Sequence, residues 1–160
     1  MKPKLSESDV TFGDLTEKNM GQLRKLNEYL YPVKYQDKFY KDVLAQGEWA
    51  QYVYLRDVLV GAYCCRVEML DEGFRVYILT FGVLEAYRRL GIGARMLHDV
   101  LRKVGEQPGI KEIYLHVQVG NDAALAFYRG NGFVGDDVVP DYYKNIEPTG
   151  AILLRKCIRQ

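Results

Sequence analysis

Apolar positions along the chain follow two rhythms, and the switches between them outline the elements. Residues 9 to 15 alternate as a short first strand. From Met20 the spacing widens, and Met20, Leu23, Leu26 and Leu30 line one side of a helix that Thr16 or Asn19 can cap. Tyr31-Pro32-Val33 ends it, because the residue before a proline avoids helical angles. A second short helix starts near Asp37, carries Phe39, Tyr40, Val43 and Leu44, and closes at Gly47. Three strands are then predicted, Trp49–Leu55, Val58–Val67 and Phe74–Val83. Arg56-Asp57 and Asp71-Glu72-Gly73 supply the turns of this antiparallel meander. Gly91 to Val104 is an amphipathic helix with Ile92, Met96, Leu97, Val100, Leu101 and Val104 on its apolar side. After the break at Pro108-Gly109 come a strand, Ile113–Val119, and a helix from about Asn121 to Arg129. Gly130-Asn131-Gly132 terminates that helix. Strands near Phe133–Val139 and Ala151–Lys156 finish the chain, with Tyr142 and Tyr143 in the loop between them.

The strand–helix–strand unit from Phe74 to Val119 implies a right-handed parallel crossover. The expected fold is therefore α/β, a mixed central sheet of about seven strands with about four helices. The 160 residues make one domain of ordinary size, and 48% hydrophobic residues allow a real core. A net charge of +1 with no basic stripe removes the electrostatic support for direct nucleic-acid binding. Cys64 and Cys65 are neighbours in a strand and should point to opposite faces; with Cys157 they read as small apolar fillers of an intracellular protein. No Cys or His cluster has metal-ligand spacing, so no metal is expected. Met1-Lys2-Pro3-Lys4 is followed by no apolar stretch of a leader, and no run reaches the ~18 apolar residues of a membrane span.

The chemistry begins at Arg88-Arg89-Leu90-Gly91-Ile92-Gly93, where a strand hands over to a helix. Glycines let the backbone approach an anion closely, and the opening helix aims unpaired N–H groups and a positive dipole end at the same point. Two arginines add charge, so a pyrophosphate is the natural guest. A P-loop would need G-K-[ST], which is absent. A dinucleotide loop would need a third glycine where Met96 stands. The remaining pattern, R-x-x-G-x-G with Arg88, Gly91 and Gly93, resembles the pyrophosphate signature of the acetyltransferase (GNAT) superfamily. Downstream, Asn121, Ala124, Phe127-Tyr128 and Gly132-Phe133 resemble that superfamily's second cofactor-binding helix, N-x-x-A-x-x-F-Y-x-x-x-G-F.

Longer blocks are more specific. Tyr31-Pro32-Val33, Tyr35, Asp37-Lys38-Phe39-Tyr40-Lys41-Asp42-Val43, Tyr77-Ile78, Tyr87–Gly93, Tyr114–Gln118 and Tyr142-Tyr143-Lys144 closely resemble the catalytic subunit of the NatE-type N-terminal acetyltransferase, the N-alpha-acetyltransferase 50 family. The likeness runs from about Val10 to Lys156. It implies the GNAT fold and transfer of acetyl from acetyl-CoA to the α-amine of proteins, with initiator Met followed by a hydrophobic residue preferred and lysine acetylation secondary. It implies Tyr77 and His116 as the catalytic pair, acting through an ordered water. The donor would be held by Phe81, Gly82, Val83, Arg88, Arg89, Leu90, Gly91, Ile92, Gly93 and Ala94, with Asn121 and Tyr128 from the second helix. The peptide would be held by Tyr31, Pro32, Val33, Tyr35, Leu79, Tyr142 and Tyr143. Tyr31 stands where a phenylalanine is usual and Leu79 where a methionine is usual, which predicts an altered substrate ranking. The resemblance further implies association with the NatA scaffold and catalytic subunits at the ribosome. The expected location is cytoplasmic, with a nuclear pool left open.

The residues support part of this on their own. Ile113, Leu115 and Val117 alternate with Tyr114 and His116, which places His116 near the C-terminal end of a strand on the face away from the apolar set. Ligands of α/β sheets gather at such ends. A histidine near its usual ~6.5 suits an α-amine of ~7.7–8.0 far better than a lysine of ~10.4, whose neutralisation costs roughly 3.4 kcal/mol more. A backbone N–H near Leu79 is the candidate oxyanion donor. Tyr128 reads equally as acid for the leaving thiolate or as aromatic packing. His98 reads as a surface residue without a role. Two other readings stay open: an acetyl-CoA-binding structural subunit of a ribosome-associated NatA-type complex, and a small-molecule amine acetyltransferase.

Overall fold

A computed structural model of the protein describes residues 4–159. The reading of Met1-Lys2-Pro3 therefore lies outside the described residues. The elements are β1 (Val10–Asp14), α1 (Met20–Leu30), α2 (Asp37–Ala45), β2 (Ala50–Leu55), β3 (Val58–Met69), β4 (Phe74–Val83), α3 (Ile92–Glu106), β5 (Ile110–Gln118), α4 (Asp122–Gly130), β6 (Val138–Val139) and β7 (Ala151–Cys157). The sheet order is β1-β2-β3-β4-β5-β7-β6. The β1–β2 and β2–β3 pairs are antiparallel, β4 and β5 run parallel, and β7 pairs antiparallel with both β5 and β6. Among the described residues no helix is long and apolar enough to cross a membrane.

The chain divides into two compact units. Among the described residues, the first holds 4–66 and 78–106, and the second holds 67–77 and 107–159. In the first, strand alternation sends neighbouring side chains to opposite faces. Ala62 and Cys64 join Leu23, Leu26, Tyr40, Val43 and Tyr52 in a core beneath α1 and α2. Cys65 takes the other direction and is also buried, beside Lys103 of α3, so both adjacent cysteines are interior as the alternation requires.

Helix α1 starts where the spacing predicts, but its first turn is satisfied differently. Asn19 accepts from the Thr16 N–H, and Thr16 Oγ1 accepts from the Asn19 N–H. The Leu23 N–H instead donates to the Tyr52 hydroxyl at 3.1 Å, which itself donates to the Asn19 carbonyl. Tertiary contact has taken over the capping work of a local side chain.

On α3 the apolar stripe contains a lysine. Lys103 Nζ reaches the Glu48 carbonyl at 2.6 Å, the Tyr63 hydroxyl at 2.8 Å and Asp99 Oδ2 at 3.4 Å, so its three donors all have partners. Tyr63 also donates to Asp99 at 2.5 Å. Burial raises the Asp99 carboxyl, but the Tyr63 hydroxyl, Arg102 and Lys103 outweigh it and hold the pKa below the usual carboxylate range. Both ionic side chains are nearly closed to water, 10% and 12% exposed. Removing one partner of a buried pair leaves the other uncompensated. Lys103→Met is expected to cost about 3 kcal/mol and to lower Tm by about 6–12 °C at this chain length. Thermal unfolding followed by circular dichroism checks it, and an unchanged Tm would show that the network contributes nothing net.

In the second unit β5 begins at Ile110, three residues before the predicted start, because Ile110 is already buried immediately after the Pro108-Gly109 break. The predicted strand Phe133–Val139 is reduced to a bridge from Val134 to Arg155 and the two residues of β6. Gly135 is the cause. Its φ of 142° interrupts the extended run, and a side chain there would strike the Leu153 carbonyl.

Candidate active site

Register brings the second unit's chemistry together. Parallel pairing of β4 with β5 sets Tyr77 opposite Tyr114, and His116 follows two positions later on the same face of β5. The Tyr77 hydroxyl lies 2.7 Å from His116 Nδ1 and 2.9 Å from the Tyr142 hydroxyl. Tyr142 comes from the loop after β6, and its ring stacks on the His116 ring at 4.2 Å between centroids and 19° between planes. Tyr143 meets Tyr142 edge-on at 4.9 Å, and its N–H donates to the Thr149 carbonyl at 2.9 Å, which closes the loop on itself. Three stretches distant in sequence thus supply one cluster of four residues, and all four were expected at the site.

Their environment sets their protonation. Burial pushes the Tyr77 phenol well above its usual value, and the bond to Tyr142 adds to this, so Tyr77 keeps its proton. Burial lowers His116 below the usual histidine value, so the ring is neutral at physiological pH. A protonated phenol facing a neutral imidazole nitrogen can pass its own proton along as its oxygen receives another. Tyr114 also lines this face, with its ring 4.7 Å from that of Tyr77. Sequence reasoning gave it no role, although it stands two positions from His116 on one strand face, which is the signal that would have found it.

Asn121 and Tyr128 are placed by α4. Asn121 is the cap, its Oδ1 accepting from the Ala124 N–H at 3.2 Å, so it fixes the helix start and the N–H groups opening there. Tyr128 is buried, with its ring against Phe127 at 5.1 Å and Phe133 at 5.5 Å.

The glycine loop belongs to the first unit. It leaves β4 at Phe81-Gly82-Val83 and turns at Arg89 and Gly91, whose φ angles are 68° and 82°. It enters α3 at Ile92, followed by Gly93 and Ala94. Left-handed residues ahead of a helix start turn successive N–H groups toward one concavity, the geometry of an anion nest. The first intrahelical bond runs from the Arg95 N–H to the Gly91 carbonyl, so the N–H groups of Ile92, Gly93 and Ala94 precede the helical ladder. A Cβ on Gly91 would meet nothing within 4 Å, so the space above the loop is open. Leu90 is half-buried beneath it and Arg89 is exposed. Arg88 is exposed and anchored at one nitrogen. Its Nε donates to the Val83 carbonyl at 2.9 Å, so part of its guanidinium braces the loop against the strand end. Donor set and free space both fit the pyrophosphate of acetyl-CoA.

Tyr31, Pro32, Val33 and Tyr35 occupy the connection between α1 and α2, in the same unit. Tyr31 meets Tyr35 edge-on at 6.0 Å, and Tyr35 stacks on Phe39 at 4.4 Å. Pro32 is exposed and Val33 half-buried. The extra hydroxyl of Tyr31 is buried without a well-formed hydrogen bond and lies over Gly82, where a Cβ would come within 2.8 Å of it. Leu79 lines a cavity of about 210 Å³ together with Phe39, Val43, Asp42 and Arg66.

Comparison with known proteins gives the chain its relatives. Residues 18–133 match the sequence profile of the Acetyltransferase (GNAT) family. N-alpha-acetyltransferase 50 of Danio rerio is 47% identical over 150 residues, 94% of this chain and 89% of the relative. The probable N-acetyltransferase san of Drosophila melanogaster is 43% identical over 156 residues, 98% of this chain and 85% of the relative. Among solved structures, Arabidopsis thaliana Naa50 in complex with the bisubstrate analogue CoA-Ac-MVNAL superposes with a TM-score of 0.87 at 43% identity, over 92% of this chain and 98% of that one.

Proposed function

Because the chain belongs to the GNAT acetyltransferase family, in its N-alpha-acetyltransferase 50 branch, and is an acetyl-CoA-dependent N-alpha-acetyltransferase, we propose that its preferred acceptors are protein N-termini beginning with methionine and a hydrophobic residue. The observation that carries the chemistry is the 2.7 Å bond between Tyr77 and His116, closed over by Tyr142. Acetyl-CoA supplies an acetyl group activated as a thioester. The loop from Arg88 to Ala94 would hold its pyrophosphate, and β4 at Phe81–Val83 its extended arm. The α-amine gives its proton, through an ordered water, to the Tyr77 oxygen as the phenol proton moves to His116 Nδ1. Tyr128 would hydrogen-bond the departing thiolate.

On the acceptor side the family likeness would give Tyr31, Pro32, Val33, Tyr35 and Leu79 the first side chain, and Tyr142 and Tyr143 the peptide backbone. The peptide part of the analogue bound to the Arabidopsis relative, MVNAL, begins with methionine and valine, which supports this ranking. Lysine acetylation is the secondary activity, since a neutral histidine is poorly matched to a lysine. A chain that only binds acetyl-CoA would have no use for the Tyr77–His116 bond. We further propose, from the family likeness alone, a place beside the NatA scaffold and catalytic subunits at the ribosome, and a cytoplasmic location with a nuclear pool left open.

Initial rates with purified protein test the acceptor. A peptide beginning Met-Leu is expected to be acetylated at least about tenfold faster than the same peptide with a blocked N-terminus and an internal lysine. The reverse ranking would overturn the assignment.

A further inference from the structure

Behind Tyr77 lies a polar cluster to which the reaction assigns no role. Glu68 Oε1 accepts from the Tyr114 hydroxyl at 2.5 Å and from Arg75 Nε at 2.8 Å. The Arg75 guanidinium lies over the Tyr114 ring, 4.5 Å from its centroid, and reaches Glu112 at 3.8 Å. Tyr114 is thus fixed at its hydroxyl by a carboxylate and on its ring by a cation, while the same ring touches Tyr77 at 4.7 Å and 47°. Glu68 is 19% exposed, and its one oxygen serves both donors, so the cluster is a clamp rather than a loose surface pair.

The geometry matters because the Tyr77–His116 bond tolerates little movement. A phenol oxygen 2.7 Å from Nδ1 loses the bond if its ring swings by about an ångström. A tyrosine is free to do so about two torsions unless a neighbour blocks it. Tyr114 is in direct cross-strand register with Tyr77 and is such a neighbour. We propose that Tyr114, Glu68 and Arg75 are positioning residues that lock the Tyr77 ring so that its hydroxyl stays on His116. This rests on the reading that Tyr77 and His116 carry the amine's proton. It predicts that the clamp acts on turnover and on neither substrate's binding.

Tyr114→Phe keeps the ring and deletes the bond to Glu68, and Glu68→Gln keeps the shape and deletes the charge. In the full chain each is expected to lower kcat about tenfold, with KM for acetyl-CoA and for a Met-Leu peptide within about twofold of wild type. Their double variant should be no slower than the slower single. On a His116→Ala background, Tyr114→Phe should cost nothing further, an outcome that a general loss of stability would not produce. Arg75→Lys, which keeps the charge but not the flat guanidinium over the ring, should show a smaller fall in the same parameter and gives a second route should a variant fold poorly. The proposal is overturned if kcat is unchanged, if the loss falls in KM, or if the loss persists undiminished without His116. A wild-type chain that does not acetylate the N-terminus would instead overturn the acceptor assignment.

Discussion

Replacing His116 with alanine is expected to lower turnover about 10²–10³-fold, within the range of general base catalysis, and to leave acetyl-CoA affinity unchanged. The ring nitrogen is the end of the proton path from the Tyr77 hydroxyl, and nothing in Tyr142, whose ring lies flat on it, can take a proton in its place. Tyr77→Phe should cost a comparable factor, because it cuts the same path one atom earlier. The double variant should be little worse than either single, since residues acting as one unit are strongly non-additive. Multiplicative losses would mean independent roles and would sink the relay. The pH profile gives a second reading. Burial lowers the His116 pKa, so the neutral base is populated at lower pH than for an ordinary histidine. The acid limb of kcat for wild type should therefore lie below about 6.5 and disappear in His116→Ala. A limb at or above that value would show that the base titrates normally.

The distribution of what the sequence revealed has physical causes. Helix α3 was legible because Ile92, Met96, Leu97, Val100 and Val104 repeat at helical spacing, and all five are buried. Lys103 on the same side was not, because a hydrophobic pattern scores lysine as solvated and is blind to Asp99, Tyr63 and the Glu48 carbonyl arriving from elsewhere. The glycine loop announced itself by the spacing of Arg88, Gly91 and Gly93, with Gly91 at a φ of 82° that favours glycine, and the GNAT fold it pointed to is the fold observed. The strand after Phe133 is shorter than the pattern predicts, because apolar alternation around Gly135 looks extended while its φ is not. Tyr77 and His116 stand 39 residues apart, and no local spacing joins them. Register between two parallel strands does, and in the sequence only the family resemblance implies that pairing. Glu68 and Arg75 fit no motif, and Tyr114 sits in one that assigns it no role, since what links the three is one carboxylate oxygen shared across three strands.

The second large effect concerns the donor. Gly91→Trp is expected to weaken acetyl-CoA binding by at least about 100-fold in calorimetry, roughly 2.7 kcal/mol, without unfolding the chain. Gly91 has a φ of 82°, and the region its Cβ would enter is open. Any L residue there carries a conformational cost of about 1–2 kcal/mol, enough to lower Tm by about 2–8 °C. An indole carries in addition a bulk that fills the concavity facing the N–H groups of Ile92, Gly93 and Ala94. Gly91→Ala separates the two effects, because it pays the same φ cost with a single methyl group. The alanine variant should therefore reproduce the fall in Tm but only a minor part of the loss in affinity. Equal losses in both variants would show that backbone conformation, rather than space, governs the loop. If the tryptophan variant bound acetyl-CoA as wild type does, the pyrophosphate would have to sit elsewhere, and the helix dipole of α3 would have no part in holding it.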